Sequence, residues 1–103
     1  MLELLLDGKV EEFNRRRATG ETADLRGANL RGTDLRQLDA AGLDMSDCYL
    51  RHADLRGVDF SQTRLQGASI NGARISGAYF PPELSADEIN LSLLHGTRMR
   101  YRP

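Results

Sequence analysis

Cys48 and His52 are the residues whose types and spacing come nearest to a nucleophile paired with a general base, because a histidine can take the proton of a nearby thiol. The other histidine, His95, lies far along the chain. One cysteine and two histidines at these separations do not match the ligand spacing of a zinc site. The single cysteine also excludes an intramolecular disulfide.

Carboxylates are the remaining candidates for chemistry. Asp24 and Asp44, and likewise Asp39 and Asp59, are twenty residues apart. Two carboxylates alone supply too few oxygen ligands for a firmly bound cation. The sequence also contains no phosphate-binding loop of the Walker type and no dinucleotide-binding fingerprint. We therefore expect no catalytic residues, no metal and no cofactor.

A repeat of five residues organises the middle of the chain, from Ala23 to Pro82, as twelve pentapeptides without a frame break. The third residue of each pentapeptide, here called the centre, is large and apolar except at Ala40. The centres are Leu25, Leu30, Leu35, Ala40, Met45, Leu50, Leu55, Phe60, Leu65, Ile70, Ile75 and Phe80. Neither a helix nor a strand has an apolar period of five, so the pattern predicts a chain that turns a corner every five residues.

The residue two before each centre is small or apolar, so we expect two side chains of each pentapeptide to point inward. The fifth position is glycine seven times, which suits a tight turn with positive φ. Four corners close one coil of twenty residues, and sixty residues give three coils about 14 Å long at β-sheet spacing. The predicted fold is an all-β solenoid. Cys48 would point inward and His52 outward at a corner, which argues against their acting together.

Residues twenty apart should stack, and one column tests this idea. From the first coil to the third, the centre side chains of this column become larger while their inward partners become smaller, as close packing requires. The centre and partner pairs are Ala40 with Leu38, Phe60 with Val58, and Phe80 with Ala78. On the surface, Asp34 should lie over Asp54 and Arg36 over Arg56. That patch of alternating charge is best interpreted as a solvated surface, in which each pair adds little stability.

Residues 1–22 are predicted to form an N-terminal capping helix, with residues 23–82 as the repeat domain. One helical face carries Leu2, Leu5, Leu6, Val10 and Phe13. Asp7 and Gly8 are expected to kink or split this helix. Phe13 and its neighbours would cover the first coil.

Residues 83–103 are predicted to form a C-terminal capping helix followed by a basic tail. Pro81 and Pro82 end the repeats, because proline cannot donate to a further ladder. Ser85 and Glu88 form the sequence pattern of a capping box, and Gly96 is a suitable stop.

The C-terminal helix has two apolar stripes on nearly opposite sides. Ala86, Ile89 and Leu93 can close the last coil, which leaves Leu91 and Leu94 without a partner. The tail alternates arginine with Met99 and Tyr101, as a half-buried strand does. The hypothesis is a homodimer contact or partner-docking surface, and the alternative is that the tail covers Leu91 and Leu94 within one chain. The candidate surface comprises Leu91, Leu94, Arg98, Met99, Arg100, Tyr101 and Arg102.

The pattern A-(D/N)-L-x-x, seen in ADLRG at 23–27, ANLRG at 28–32 and ADLRG at 53–57, resembles the pentapeptide-repeat family. The resemblance implies a right-handed quadrilateral β-helix. Val10 to Asn14 is similar to the VExxN-like opening helix of small bacterial members. Known members are mostly non-enzymatic, and some inhibit or protect DNA gyrase by mimicking a DNA duplex.

The balance of negative and positive side chains distinguishes between the functions known in this family. Residues 23–82 hold seven aspartates and seven arginines, and the whole chain has a net charge of −1. A duplex mimic should be densely negative, so a topoisomerase-interacting protein is the first alternative rather than the preferred interpretation. The second alternative is a very small enzyme. This alternative is disfavoured, because a solenoid filled by its own side chains leaves no cavity for a substrate.

We expect a non-enzymatic scaffold for protein–protein interaction. Its partner is an unidentified protein or a second copy, and no nucleic acid is bound directly. The start of the chain has no long apolar run, so we expect no membrane contact and a cytoplasmic location.

Overall fold

The computed structural model describes residues 1–103 and contains three helices at the two ends of the chain. The helices are α1 (Leu2–Leu6), α2 (Val10–Ala18) and α3 (Ala86–His95). The predicted N-terminal helix is thus split, because Gly8 has a φ of 76° that a helix cannot continue through. Between α2 and α3 the chain forms stacked coils.

The coils are joined by parallel β-bridges between residues twenty apart, such as Asn29 with Tyr49 and Tyr49 with Ser69. Each bridge is isolated, and no residue belongs to a longer strand. The bridges stay isolated because the chain turns after each one, which leaves only one residue per pentapeptide to pair. Leu30 N donates to Tyr49 O at 2.8 Å, and Tyr49 N donates to Ala28 O at 2.9 Å.

Each coil therefore contains four pentapeptides, which form the four faces of the solenoid. The first coil defines face 1 (23–27), face 2 (28–32), face 3 (33–37) and face 4 (38–42). Each later coil repeats the faces twenty residues further on. Backbone N–H groups donate back to the carbonyl three residues earlier at the corners, as Ala28 N does to Leu25 O at 3.0 Å.

The core is built mainly from the centres and their inward partners, and Leu5, Val10, Phe13, Leu84 and Met99 belong to the same cluster. The centres from Leu25 to Ile70 are at most 2 % exposed. Burying one such leucine contributes about 2 kcal/mol to the free energy of unfolding. The rings of Phe60 and Phe80 stack with their centroids 6.1 Å apart, and Ala40 and Leu38 are both buried. The predicted stacking of this column is confirmed.

The corner positions have the predicted positive φ. All seven glycines in the fifth position lie between 67° and 83°. Gln37, Asp47 and His52 adopt the same left-handed conformation at equivalent corners, with φ of 72°, 59° and 60°. Because left-handed backbone is costly for a residue with a Cβ, the stacking of the coils must hold these three in place.

The helix α2 closes the first coil partly through hydrogen bonds. Asn14 Nδ2 donates to Gln37 O at 2.8 Å, and Asn14 Oδ1 accepts from Asp39 N at 3.0 Å. Arg17 donates from Nη1 to Asp39 O at 2.8 Å and from Nη2 to Ala41 O at 3.0 Å. On face 4 of the first coil, these two side chains supply hydrogen bonds that a preceding coil supplies to the later coils. Phe13 is fully buried below them.

Candidate functional site

The C-terminal helix places Leu91 and Leu94 on the surface, with 41 % and 70 % of each residue exposed. Both leucines lie on the outer side of α3, in an open groove of about 350 Å³. Asp87, Asn90 and His95 line the rest of this groove. The inner side of α3 packs on the core through Ile89 and Leu93. The division into two apolar stripes is therefore present in the structure.

Capping of α3 agrees with the sequence at both ends, with one difference. Ser85 Oγ accepts from Glu88 N at 3.2 Å, and Gly96 ends the helix with a φ of 73°. The Glu88 carboxylate does not return to Ser85. It accepts from Arg100 N at 2.8 Å and forms an ion pair with the Arg100 guanidinium at 3.1 Å. Only one of the two hydrogen bonds of a capping box is present, because the Glu88 carboxylate pairs with Arg100 of the tail.

Met99 belongs to the core, so its assignment to the candidate interaction surface is wrong. Its side chain is fully buried. Met99 N donates to Ala68 O at 2.9 Å, and Met99 O accepts from Gly67 N at 2.7 Å. The tail thus folds back onto face 1 and face 2 of the third coil. Tyr101 is half-buried, and its hydroxyl accepts from Leu65 N at 2.8 Å.

The three tail arginines are exposed, as the alternation predicts, and each is bonded within the chain. Arg98 pairs with Asp47 at 3.2 Å, donates to the Tyr49 hydroxyl at 2.8 Å and lies 5.6 Å from the centre of that ring. Arg102 donates to backbone carbonyls of Pro82 and Glu83. The alternative in which the tail covers Leu91 and Leu94 is also wrong, because both stay exposed while the tail lies over other residues.

The C-terminal end of the solenoid is closed on two faces and open on the other two. On face 2, Ile70 N donates to Ser92 Oγ at 3.0 Å and Gly72 N donates to Leu93 O at 3.1 Å. On faces 3 and 4, five groups of the kind that bond the next coil elsewhere in the solenoid have no partner within the chain. They are the N–H groups of Ile75, Gly77 and Phe80 and the carbonyls of Ala73 and Ala78.

The exposure of the side chains also shows that faces 3 and 4 are uncovered at this end. Ile75 and Phe80 are the centres that remain partly exposed, whereas Leu55 and Phe60 beneath them are fully buried. We call the combination of Ile75, Phe80, Leu91, Leu94 and the unpaired backbone groups of 73–80 the end surface. It offers apolar area together with hydrogen-bond donors and acceptors. Such an arrangement can bind a protein.

The residues considered for chemistry are not brought together. Cys48 is buried, and its thiol donates to Leu25 O at 2.8 Å. Burial raises the pKa of this thiol to about 11, so the reactive thiolate is scarce at neutral pH. His52 is exposed at a corner, and His95 is exposed at the end of α3. No group of three or more metal-ligating side chains is placed to hold an ion.

The stacked aspartates and arginines of face 3 form the patch of alternating charge that the sequence indicates. Arg36 pairs with Asp34 at 2.7 Å and with Asp54 at 3.4 Å, and Arg56 pairs with Asp54 at 2.7 Å. The hydrogen bond from Arg56 lowers the pKa of Asp54 to about 2. Because most of these groups are well exposed, each pair adds about 0–1 kcal/mol to stability.

The stacked coils, their twenty-residue register and a core made from every fifth residue define a solenoid of β-bridged coils. The family model for pentapeptide repeats matches this chain in eight copies, over residues 16–39, 22–57 and 44–80. The chain belongs to the pentapeptide-repeat family, whose members are generally non-enzymatic scaffolds. A search of curated proteins and a search of solved structures each found no match. None of the three helices is long and apolar enough to cross a membrane.

Proposed function

We propose that this chain is a non-enzymatic scaffold for protein–protein interaction in a bacterial cytoplasm, and that it forms a homodimer through the end surface. In this proposal the coils of residues 23–82 form a right-handed quadrilateral β-helix. Residues 1–22 and 83–103 are its caps. The flat faces present side chains to a partner, and the solenoid keeps those side chains in fixed register.

The observation that carries the proposal is the half-open C-terminal end. A solenoid end without a cap exposes both core and ladder groups, and repeat proteins require such ends to be covered. The N-terminal end is covered, since Leu5, Val10 and Phe13 are buried with the first coil. The C-terminal end leaves Ile75 and Phe80 partly exposed beside the unpaired backbone of 73–80.

A second copy fits this surface because the surface is self-complementary. The donors Ile75 N and Gly77 N lie on face 3 with the acceptor Ala73 O, and the donor Phe80 N lies on face 4 with the acceptor Ala78 O. A two-fold axis brings the donors of one copy to the acceptors of the other, which is the rule for an isologous interface. Leu91 and Leu94 would add apolar area to the same contact.

Duplex mimicry receives less support from the charges. Asp24, Asp34 and Asp54 each pair with an arginine of their own pentapeptide, at distances of 2.7–3.1 Å. A neutralised carboxylate is a poor substitute for a phosphate, whose charge dominates recognition by DNA-binding proteins.

The mass of the protein in solution tests the dimer. We expect the wild-type chain to have twice the mass of one chain by light scattering, and Leu91→Asp with Leu94→Asp to have the mass of one, since buried unpaired carboxylates oppose association. Leu6→Asp is the control, because Leu6 is 50 % exposed at the other end of the molecule. A folded double variant with the wild-type mass, or a monomeric wild type, would show that the end surface does not dimerise.

A further inference from the structure

Arginine follows the centre in five pentapeptides, and three of these arginines form an ion pair with an aspartate of the same pentapeptide. Arg26 pairs with Asp24 at 3.1 Å, and Arg36 and Arg56 pair with aspartates of face 3 at 2.7 Å. In each case the aspartate is two residues before the arginine. The remaining two arginines, Arg31 and Arg51, are both on face 2.

On face 2 the aspartate is replaced, so these two guanidinium groups have no carboxylate. Asn29 precedes Arg31, and Tyr49 precedes Arg51. The Arg31 side chain makes no hydrogen bond within the chain, and Arg51 Nε donates only to His52 Nε2 at 3.3 Å. Both arginines are exposed. Face 2 contains no aspartate or glutamate in any of its three pentapeptides, although the repeats as a whole are neutral.

The two arginines also lie in register. Asn29 and Tyr49 form a parallel bridge, and Gly32 N donates to Arg51 O at 2.8 Å. The backbones that carry Arg31 and Arg51 are therefore about 4.8 Å apart, the spacing of neighbouring β-bridged segments. The two arginines without a carboxylate partner therefore occupy neighbouring positions on the same face. Asn29 and the hydroxyl of Tyr49 are further hydrogen-bonding groups beside them.

We propose that face 2 is a docking site for an acidic segment of a protein partner, with two of its carboxylates paired to Arg31 and Arg51. Guanidinium and carboxylate groups form bidentate, charge-assisted hydrogen bonds, which suits a surface that offers two forks in fixed register. The inference rests on the proposed scaffold function and names the chemistry of its partner. It does not depend on the end surface.

A protein segment fits better than a nucleic acid because the positive area of face 2 is small. Nucleic-acid binding depends on many phosphate contacts along an extended basic surface. Face 2 offers two free arginines, and its third basic neighbour, Arg98, is already paired with Asp47.

An NMR titration of the full-length protein tests the site, with an octaglutamate peptide as the probe at low ionic strength. We expect shift changes centred on residues 29–31 and 49–52. Arg31→Gln with Arg51→Gln should weaken the affinity by about ten-fold, the effect of losing two exposed charge pairs. Arg36→Gln with Arg56→Gln is the matched control, because it removes the same charge from the same repeat positions on face 3. That control should change the affinity by less than about two-fold.

Three results would overturn the inference. They are an equal loss in both double variants, tighter binding of an octanucleotide than of the peptide, and the absence of shift changes on face 2. The variant Leu91→Asp with Leu94→Asp separates this inference from the dimer. If that variant is monomeric and binds the peptide as the wild type does, face 2 functions independently of the end surface.

Discussion

The residue before each centre is aspartate or asparagine in most repeats because its side chain builds the turn that follows. Asp34 Oδ1 accepts from Arg36 N at 3.1 Å, and Asn29 Oδ1 accepts from Arg31 N at 3.1 Å. Side chains of this type favour turns by bonding the backbone two residues on. The sequence showed that these residues face water, and the structure adds the reason for their chemical type.

Glycine at the corner has a second role where the side chain of an earlier coil lies over it. A Cβ on Gly67 would clash with Asp47 Oδ1, whereas a Cβ on Gly57 would meet nothing within 4 Å. Both glycines have positive φ, so an alanine at either site costs about 1–2 kcal/mol in backbone strain.

We therefore predict that Gly67→Ala lowers the free energy of unfolding by about 1 kcal/mol more than Gly57→Ala does, since Asp47 must move and release Arg98. Denaturant titration of both variants measures the difference. Equal losses would mean that backbone strain alone sets the cost of a side chain at these corners.

At the scale of elements, α2 is attached to the solenoid by specific side chains as well as by its apolar face. Arg15 and Arg17 lie on the same helix and carry the same charge. Arg17 donates to two backbone carbonyls of the first coil, and Arg15 has one contact of 4.0 Å, with Glu12.

We predict that Arg17→Ala lowers the free energy of unfolding by about 1–2 kcal/mol, because it leaves two carbonyls without their donor. Arg15→Ala should change it by less than about 0.5 kcal/mol. Thermal or denaturant unfolding of the two variants tests the difference. Equal effects would indicate that α2 is held by Phe13 and its neighbours alone.

Much of the element structure could be predicted from local pattern. The period of five located the core, glycine located the corners, and Ser85 and Gly96 bounded α3. Contacts that depend on distant segments could not be predicted in this way. Asn14 and Arg17 bond to residues 22–25 positions further along the chain, and no local period records such a pairing.

The tail illustrates the same limit for the candidate site. Its alternation correctly placed Met99 and Tyr101 on one side and the arginines on the other. The alternation does not indicate what that side contacts, so the sequence places Met99 in the candidate surface, whereas its side chain packs in the core. The unpaired arginines of face 2 could have been found, because Asn29 and Tyr49 break the aspartate pattern in the sequence itself.

At the scale of the whole molecule, the ladder of aspartates makes stability depend on acid. The pKa values of five repeat aspartates are lowered, chiefly by hydrogen bonds from arginine or serine side chains. They are Asp24, Asp34, Asp44, Asp54 and Asp59. A carboxyl whose pKa is lower in the folded than in the unfolded chain stabilises the fold above its unfolded pKa, about 3.9. That stabilisation is lost as the pH falls through the folded pKa.

We predict that the denaturant midpoint stays constant from about pH 7 to about pH 5 and falls between about pH 4 and about pH 2. Asp54→Asn should reduce the fall, because asparagine keeps the turn, as Asn29 does, and cannot titrate in this range. A midpoint that stays unchanged down to about pH 2 would contradict the assignment of these groups as stabilising.

The twenty-residue register also governs the order in which the chain can assemble during synthesis. Each bond between coils closes a loop of about twenty residues, and this loop is short compared with the chain as a whole, so its entropy cost is lower than that of a longer-range contact. A new coil can therefore join its predecessor as soon as it leaves the ribosome. The tail is different, because Arg98 reaches back 51 residues to Asp47. Faces 1 and 2 of the third coil can be covered only after the tail has been synthesised, so the third coil is the last to close.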